Sequence, residues 1–384
     1  MKKFLDCISV VGTTPSRFQG KRKYVSTGAV ATTEINESEV VEVTYEDRPS
    51  RANLSAESGD ILFAKMQGTR KTLLLDSETE ENVYSTGFYA IRANPEVITT
   101  ECLYYLVDSE LFLTQKDKHC SGATQKAITN GGLAKIEIRV PPLSEQGILT
   151  EKLRNLTRLI ADKRKQLELF DEVIKSRFIE MFGTLSSNEH HYPMSALKDV
   201  CRKITDGKHG GCEQEAESGY YYVGAREIYD GGIHYDTAPQ ITKADFEKDY
   251  RRCNLEQGDF VLVNTGATIG KSAIAKHPLT ECTLLQKSVA MFKVKPEIIS
   301  TVFLKYCYEA NPEMYTVESA SAQPNLLLSR INSTQIYLPP IECQRQFASF
   351  VEQVDKSKFY IVQTKILLEL LTRAIQHETN EVPL

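Results

Sequence analysis

The segment Gly266-Ala267-Thr268-Ile269-Gly270-Lys271-Ser272 comes nearest to a phosphate-binding loop. Such a loop needs four residues between its first glycine and Gly-Lys-Ser/Thr, so that successive backbone N–H groups surround a phosphate. Only three separate Gly266 from Gly270. Residues 260–263 suit a preceding strand, but 272–275 read as another strand rather than a helix, so nucleotide hydrolysis is not expected. Methyl transfer to a base calls for an Asn/Asp-Pro-Pro-aromatic tetrapeptide, whereas the two Pro-Pro pairs stand in Val140-Pro141-Pro142-Leu143 and Leu338-Pro339-Pro340-Ile341. No GxSxG or HExxH motif is present, nor a carboxylate and lysine cluster suited to a metal-dependent nuclease. His209 with Cys212 is the nearest approach to a metal-ligand pair, and it lacks a second pair at zinc-site spacing. The nine cysteines are scattered singly with no CxxC, as expected of reduced thiols. The chain is therefore expected to have no catalytic residues, no metal and no cofactor.

A length of 384 residues, 41% of them hydrophobic and 25% charged, allows two or more folded domains. No long apolar run follows Met1-Lys2-Lys3, and nowhere do about 18 uncharged apolar residues follow one another. A cytoplasmic protein is expected, without secretion or membrane insertion. The formal net charge of −5 runs against an isolated DNA-binding domain. Charge is segregated, however: Lys21-Arg22-Lys23, Arg70-Lys71 and Arg251-Arg252 are basic points, while 34–46 and 78–81 hold much of the acid. A chain working in a complex can also borrow positive charge from its partners.

Segments about 198 to 201 residues apart resemble each other in order. Ser58-Gly59-Asp60-Ile61-Leu62-Phe63 is answered by Gln257-Gly258-Asp259-Phe260-Val261-Leu262, and Asn94-Pro95-Glu96-Val97-Ile98 by Lys295-Pro296-Glu297-Ile298-Ile299. Ser121-Gly122-Ala123-Thr124-Gln125 corresponds to Ser319-Ala320-Ser321-Ala322-Gln323. Val140-Pro141-Pro142-Leu143-Ser144-Glu145-Gln146 corresponds to Leu338-Pro339-Pro340-Ile341-Glu342-Cys343-Gln344. The chain is a duplication. Each half has a mixed region with short β-like stretches such as 61–64 and 260–263, then a Pro-Pro stop, then a long helix. The domains expected are 1–143 and 184–340, with helices over 144–183 and 341–384.

Ser144 is the expected N-cap of the first helix and Gly183 its C-terminal glycine. Between them Leu149, Leu153, Leu156, Ile160, Leu167, Phe170, Ile174 and Met181 follow alternating steps of four and three, with Lys163 and Arg177 at the missing positions. That is a coiled-coil seam, and about 39 residues at roughly 1.5 Å each give a rod of about 58 Å. The second helix repeats it with Phe347, Val351, Val354, Ile361, Leu368, Leu371 and Ile375, while Lys358 and Lys365 fall at the positions of Ile160 and Leu167. One such stripe is equally well a helix packed on a globular core; two matched seams favour pairing with each other, antiparallel, as a spacer.

With these residues in place, the chain resembles the specificity subunit of type I restriction-modification systems along essentially its whole length. Thr205-Asp206-Gly207-Lys208-His209, Gly266-Ala267-Thr268-Ile269-Gly270-Lys271, the serine-to-glutamine segments and both Pro-Pro-Leu/Ile-x-x-x-Gln helix starts carry the resemblance. It implies two target-recognition domains of mixed α/β (α+β) structure in tandem, each followed by a long helix, with the two helices forming an antiparallel coiled coil. It also implies partners: double-stranded DNA, two methyltransferase subunits that modify adenine at N6 in each half-site, and restriction (motor-nuclease) subunits. The first half has no Asp-Gly-x-His, and Lys65-Met66-Gln67-Gly68-Thr69-Arg70-Lys71 takes the place of the Gly-rich turn, so two different half-sites are expected. Lys208 stands where the family more usually has Thr or Ser.

Loops entering the major groove pair Arg or Lys with guanine and Asn or Gln with adenine, while glycines and backbone amides approach phosphate. The residues with the chemistry for this are Lys65, Gln67, Thr69, Arg70 and Lys71 in the first half, and Lys208, His209, Asn264, Thr265, Thr268 and Lys271 in the second. Each is equally a solvated loop residue, and Gln125 and Gln323 equally brace the turn before a helix. Three other readings stand beside this one: the recognition subunit of another adenine-methylating defence system, a coiled-coil scaffold that binds no DNA, and an NTP-binding enzyme built on the Gly266 loop.

Overall fold

The computed structural model describes residues 1–316 and 324–378, so Gln323 and its segment 319–323 lie outside the described residues. The chain divides into two compact units, Met1–Lys165 together with the segment from Val362, and Gln166–Ile361. Both are mixed α/β. Among the described residues no helix is long and apolar enough to cross a membrane.

The first unit is built on a four-stranded antiparallel sheet. Its strands are β1 (Ile8–Val11), β3 (Ile61–Ala64), β4 (Thr72–Leu74) and β6 (Phe88–Ala93), in the order β1-β6-β3-β4. All of β3 is buried because both sheet faces are covered. Ile61 and Phe63 join a core with Phe4, Ile91, Leu103 and Phe112 on one side, while Leu62 and Ala64 join Val25, Tyr84 and Phe88 on the other, as the two-residue period of a strand dictates. A second sheet pairs β2 (Arg22–Val25) in parallel with β5 (Val83–Ser85). Helices α1 (Thr100–Val107) and α2 (Glu110–Lys118) follow, each capped by a hydroxyl: Thr99 accepts from the Cys102 N–H and Ser109 from the Phe112 N–H.

The second unit repeats this plan. Strands β7 (Cys201–Asp206), β9 (Phe260–Val263), β10 (Ser272–Ile274) and β12 (Val289–Val294) order as β7-β12-β9-β10. Strand β8 (Tyr221–Val223) lies parallel to β11 (Thr283–Leu285), and α5 (Thr301–Ala310) takes the place of α1. Helix α4 (Lys243–Cys253) is an addition between β8 and β9. Alternation repeats as well: Phe260 and Leu262 face one core, Val261 and Val263 the other. One polar staple is duplicated too. Asp60 accepts from the Glu57 N–H and pairs with Arg92; Asp259 accepts from the Glu256 N–H and pairs with Lys293.

The Pro-Pro pairs lead into α3 (Leu143–Phe182) and α6 (Ile341–Glu378). Ser144, expected as the N-cap, lies inside the first turn of α3, and it is the Pro142 carbonyl that accepts the first helical bonds. Gly183 closes α3 at φ +72°. In the second unit the two helices run antiparallel, with Phe178 against Phe347 at 5.3 Å and Asp171 bonded to Lys358. In the first unit Arg164 faces Glu369, and Gln376 lies by Leu149 and Leu153 while donating to the Tyr105 carbonyl. Leu153, Leu156, Ile174, Phe347, Val351 and Val354 are buried; Leu149, Ile160, Leu167, Phe170, Ile361 and Leu368 are half-buried. Leu371 departs from the expected seam: it is 48% exposed, and Thr372, one residue on, keeps the four-three register. Phe178 and Phe182 carry more of the packing than the seam suggested. Both are fully buried, where α3 turns onto the core of the second unit beside Phe303.

Candidate functional site

Antiparallel pairing brings several loops to one end of each four-stranded sheet. In the second unit β7 ends at Asp206 opposite Ala290, and β9 ends at Val263 opposite Val289. Residues 206–209 and the β9–β10 turn 264–271 thus emerge together, with the β11–β12 turn between them: Asn264 N–H donates to the Ser288 carbonyl and Lys287 N–H to that of Lys208. The first unit assembles the same end from the segment after β1, the β3–β4 turn 65–71 and the β5–β6 turn, where Lys65 N–H donates to the Gly87 carbonyl. Strands β1 and β7 are each followed at once by a glycine, Gly12 and Gly207. An added Cβ would lie 2.7 Å from Leu54 Cδ1 at Gly12 and 2.1 Å from the Leu285 carbonyl oxygen at Gly207. By strand register Val11 matches Thr205, since they pair with the corresponding residues Ala90 and Met291, so the segment after β1 stands where 206–209 stands in the second unit, with the two glycines one residue out of step.

Within the first turn most cations are engaged by protein. Lys65 donates to the Thr86 carbonyl at 2.9 Å and lies over the Tyr89 ring, and burial lowers its pKa. Arg70 grips Asp108 through Nε and Nη2 at 3.2 and 2.9 Å, which raises its pKa. Lys71 donates to the Thr27 carbonyl. Gln67 is exposed at the tip, with Nε2 3.3 Å from the Asp117 carbonyl. Thr69 is half-buried, its carbonyl receiving Lys116 Nζ at 2.8 Å; the same ammonium donates to the Met66 carbonyl at 2.9 Å. Lys116, fully buried beneath the turn, escaped the sequence reading. Its signal was position: it stands one helical turn after the buried Phe112, on the apolar side of α2.

In the second unit Lys208 bonds Asp249 at 2.6 Å, a hydrogen bond that raises the lysine pKa, and its side chain is 12% exposed. His209 is exposed, with Nε2 3.1 Å from Asp206, whose other oxygen is held by Arg252. Asn264 is buried and its Oδ1 has no partner among the described residues. Thr265 Oγ1 donates to Asn325 at 3.2 Å, and Thr268 lies half-buried, its carbonyl accepting from Lys271 N–H. Lys271 is exposed and has no side-chain partner among the described residues. Gly270, at φ +96°, lies so close to the Tyr315 ring that a Cβ there would meet Cε2 at 2.3 Å. The Gly266–Lys271 segment joins two strands of one sheet, a geometry unlike the strand-to-helix turn that cradles nucleotide phosphates.

The arrangement offers two polar loop clusters, alike in frame and unlike in the side chains they expose. The type I restriction modification DNA specificity domain matches residues 11–169 and again 191–371. Over 273 residues the chain is 22% identical to the type I restriction enzyme EcoBI specificity subunit of Escherichia coli, covering 63% of this chain and 56% of that protein. Over 126 residues it is 35% identical to the MjaVIII specificity subunit of Methanocaldococcus jannaschii, covering 32% of this chain and 30% of that one. The chain thus spans less than two thirds of the length of either relative. A chain from a solved structure on complex assembly and conformational transition of the type I R-M system shares the fold, with a TM-score of 0.50 and 20% identity over 97% of both chains. Two successive domain matches that together take in most of the chain place it in one family: it belongs to the type I restriction modification DNA specificity proteins.

Proposed function

We propose that this chain is the non-catalytic, cytoplasmic address-reading subunit of a type I restriction-modification complex. Each unit reads one half of a split, asymmetric target in double-stranded DNA. The paired helices set the unread gap, and partner methyltransferase subunits modify adenine at N6 while restriction subunits cleave. The observation that carries this reading is the duplicated sheet end: the same frame presents Gln67, Thr13 and Thr14 in one unit and His209 and Lys271 in the other. Gln suits adenine and Lys suits guanine in the major groove, so different exposed residues on one scaffold read different half-sites.

Lys65, Arg70, Lys71, Lys208 and Asn264 hold the turns in shape in this reading, since each is tied to protein or buried; Thr69, Thr265 and Thr268 brace them. The reactive adenine must leave the duplex to be methylated, which is work for the partner enzyme. To test this, the chain is co-expressed with the methyltransferase encoded beside it and methylated adenines are mapped by single-molecule sequencing. A bipartite asymmetric motif with a fixed gap, lost when this chain is deleted, is the expected result. A continuous motif, or methylation indifferent to the deletion, overturns the proposal.

A further inference from the structure

Most of the cations around the two loop clusters already have partners. Lys65 and Lys71 donate to carbonyls, Arg70 to Asp108, Lys116 to the turn above it, Lys208 to Asp249 and Arg252 to Asp206. For any of these to contact a phosphate, a protein contact must first break. Beyond the 65–71 and 264–271 turns, exposed lysines at or beside these sheet ends without a side-chain partner among the described residues include Lys118, Lys126 and Lys287; of these, Lys126 and Lys287 sit on loops bonded directly to the turns.

Their backbones, by contrast, are fixed. The Lys126 carbonyl accepts from the Gln67 N–H at 2.9 Å, and the next residue, Ala127, bridges to Met66. Its loop is closed by reciprocal Ser121–Ala127 bonds of 2.9 and 3.0 Å. Gly122, at φ +135°, lets the Gln125 carbonyl come within 2.4 Å of where a Cβ would stand. Lys287 N–H donates to the Lys208 carbonyl at 3.0 Å; its neighbours Gln286 and Ser288 bond Val223 and Asn264. The two lysines are not equivalent in the repeat: Pro324 stands at the place of Lys126, and Thr86 at that of Lys287. Each unit thus holds a flanking ammonium on a backbone-anchored loop beside its exposed reader, on a different loop in each.

We infer that Lys126 and Lys287 are the phosphate anchors of the two units, gripping the DNA backbone beside the half-site that the adjoining turn reads. A lysine is a mobile point charge that meets phosphate without demanding one geometry, and phosphate contacts set position and affinity, not sequence. The inference rests on the DNA reading proposed above. Its test uses the full chain in complex with its methyltransferase partner and a duplex carrying the mapped target, between about 50 and 200 mM salt. Lys126→Gln and Lys287→Gln should each lower the slope of log affinity against log salt by about 0.9, and the pair by about twice that. Target and non-target duplexes should weaken by the same factor, and the methylated motif should not change. Lys→Arg at either position should keep the slope, and melting curves should be unaltered because both side chains are exposed. An unchanged slope in complexes that still bind their target overturns the inference and leaves the reading intact. A motif relaxed at one half-site makes that lysine a base reader and equally overturns it. A parent complex that prefers no duplex overturns the reading and the inference together.

Discussion

Gln146 and Gln344 make the same three hydrogen bonds in their two units. Each Oε1 accepts from the backbone N–H just before the helix it braces, Thr99 at 2.7 Å and Ser300 at 2.8 Å. Each Nε2 donates to two carbonyls, Val97 and Pro141 in one unit, Ile298 and Pro339 in the other. Both side chains are fully buried. Gln146→Ala or Gln344→Ala leaves one donor and two acceptors orphaned, at about 1–3 kcal/mol for each, so either should cost about 3 kcal/mol or more in urea unfolding. Gln→Glu should be no better at neutral pH, because a carboxylate cannot donate to the two carbonyls. Glu145→Ala, one residue away and exposed, should stay within about 0.5 kcal/mol; equal losses at 145 and 146 would show that the motif acts through helix propensity alone.

The helix seam yields a second contrast. Phe178 is fully buried against Phe347 and Phe303, and Phe178→Ala should cost about 3–5 kcal/mol. Leu371 has the apolar character of a seam residue but faces outward, so Leu371→Ala should be near neutral in the isolated chain. Denaturation midpoints of the two variants compare these directly, and a costly Leu371→Ala would return that residue to the seam.

Alkaline pH should unfold the protein before its surface titration alone would. Burial pushes Tyr84 and Tyr104 up to about 12 and the thiols of Cys102 and Cys253 up to about 11, and the hydrogen bond to Asp249 raises Lys208. For every one of these groups the folded pKa lies above the unfolded one. Their contribution is therefore complete below the unfolded values, about 8.5 for Cys and 10 for Tyr, and is lost as pH rises through the folded ones. Stability measured by urea should fall steadily from about pH 8.5 upward, with tyrosinate absorbance from the buried rings appearing only alongside unfolding. A flat stability over that range would contradict the burial of these groups.

What the sequence disclosed was whatever a local pattern requires. Gln146 and Gln344 are legible because one backbone task needs the same side chain at the same distance after Pro-Pro. The helix seam is legible by its period until Ile174, after which Phe178 and Phe182 follow the domain core instead of the partner helix. The turns 65–71 and 264–271 show as glycine and polar residues between apolar strands. Which of their cations are free was not legible, because the partners come from far along the chain: Asp108 is 38 residues from Arg70, and Asp249 is 41 from Lys208. Tyr315 under Gly270 carried no signal at all, since nothing local ties a tyrosine after α5 to a turn after β9.

That tyrosine supports the most specific prediction. Gly266 and Gly270 bracket the second turn at φ +94° and +96°, so alanine at either position adopts a backbone that L residues resist, at about 1–3 kcal/mol. A Cβ at Gly266 meets open space, whereas one at Gly270 must push the Tyr315 ring aside, and Tyr315 packs against the core of the second unit. Gly270→Ala should therefore cost about 1–3 kcal/mol more than Gly266→Ala. Because the extra term is a clash between two named groups, Gly270→Ala combined with Tyr315→Ala should be less destabilised than the sum of the single variants. Under the proposed DNA reading, Gly270→Ala tested in a complex with the partner methyltransferase should blur recognition of one half-site and leave the other as it was, since the first unit's turn is held by Lys116 and not by this contact. Additive stabilities in the double variant, or equal loss at both half-sites, would remove Tyr315 as the support of the second turn.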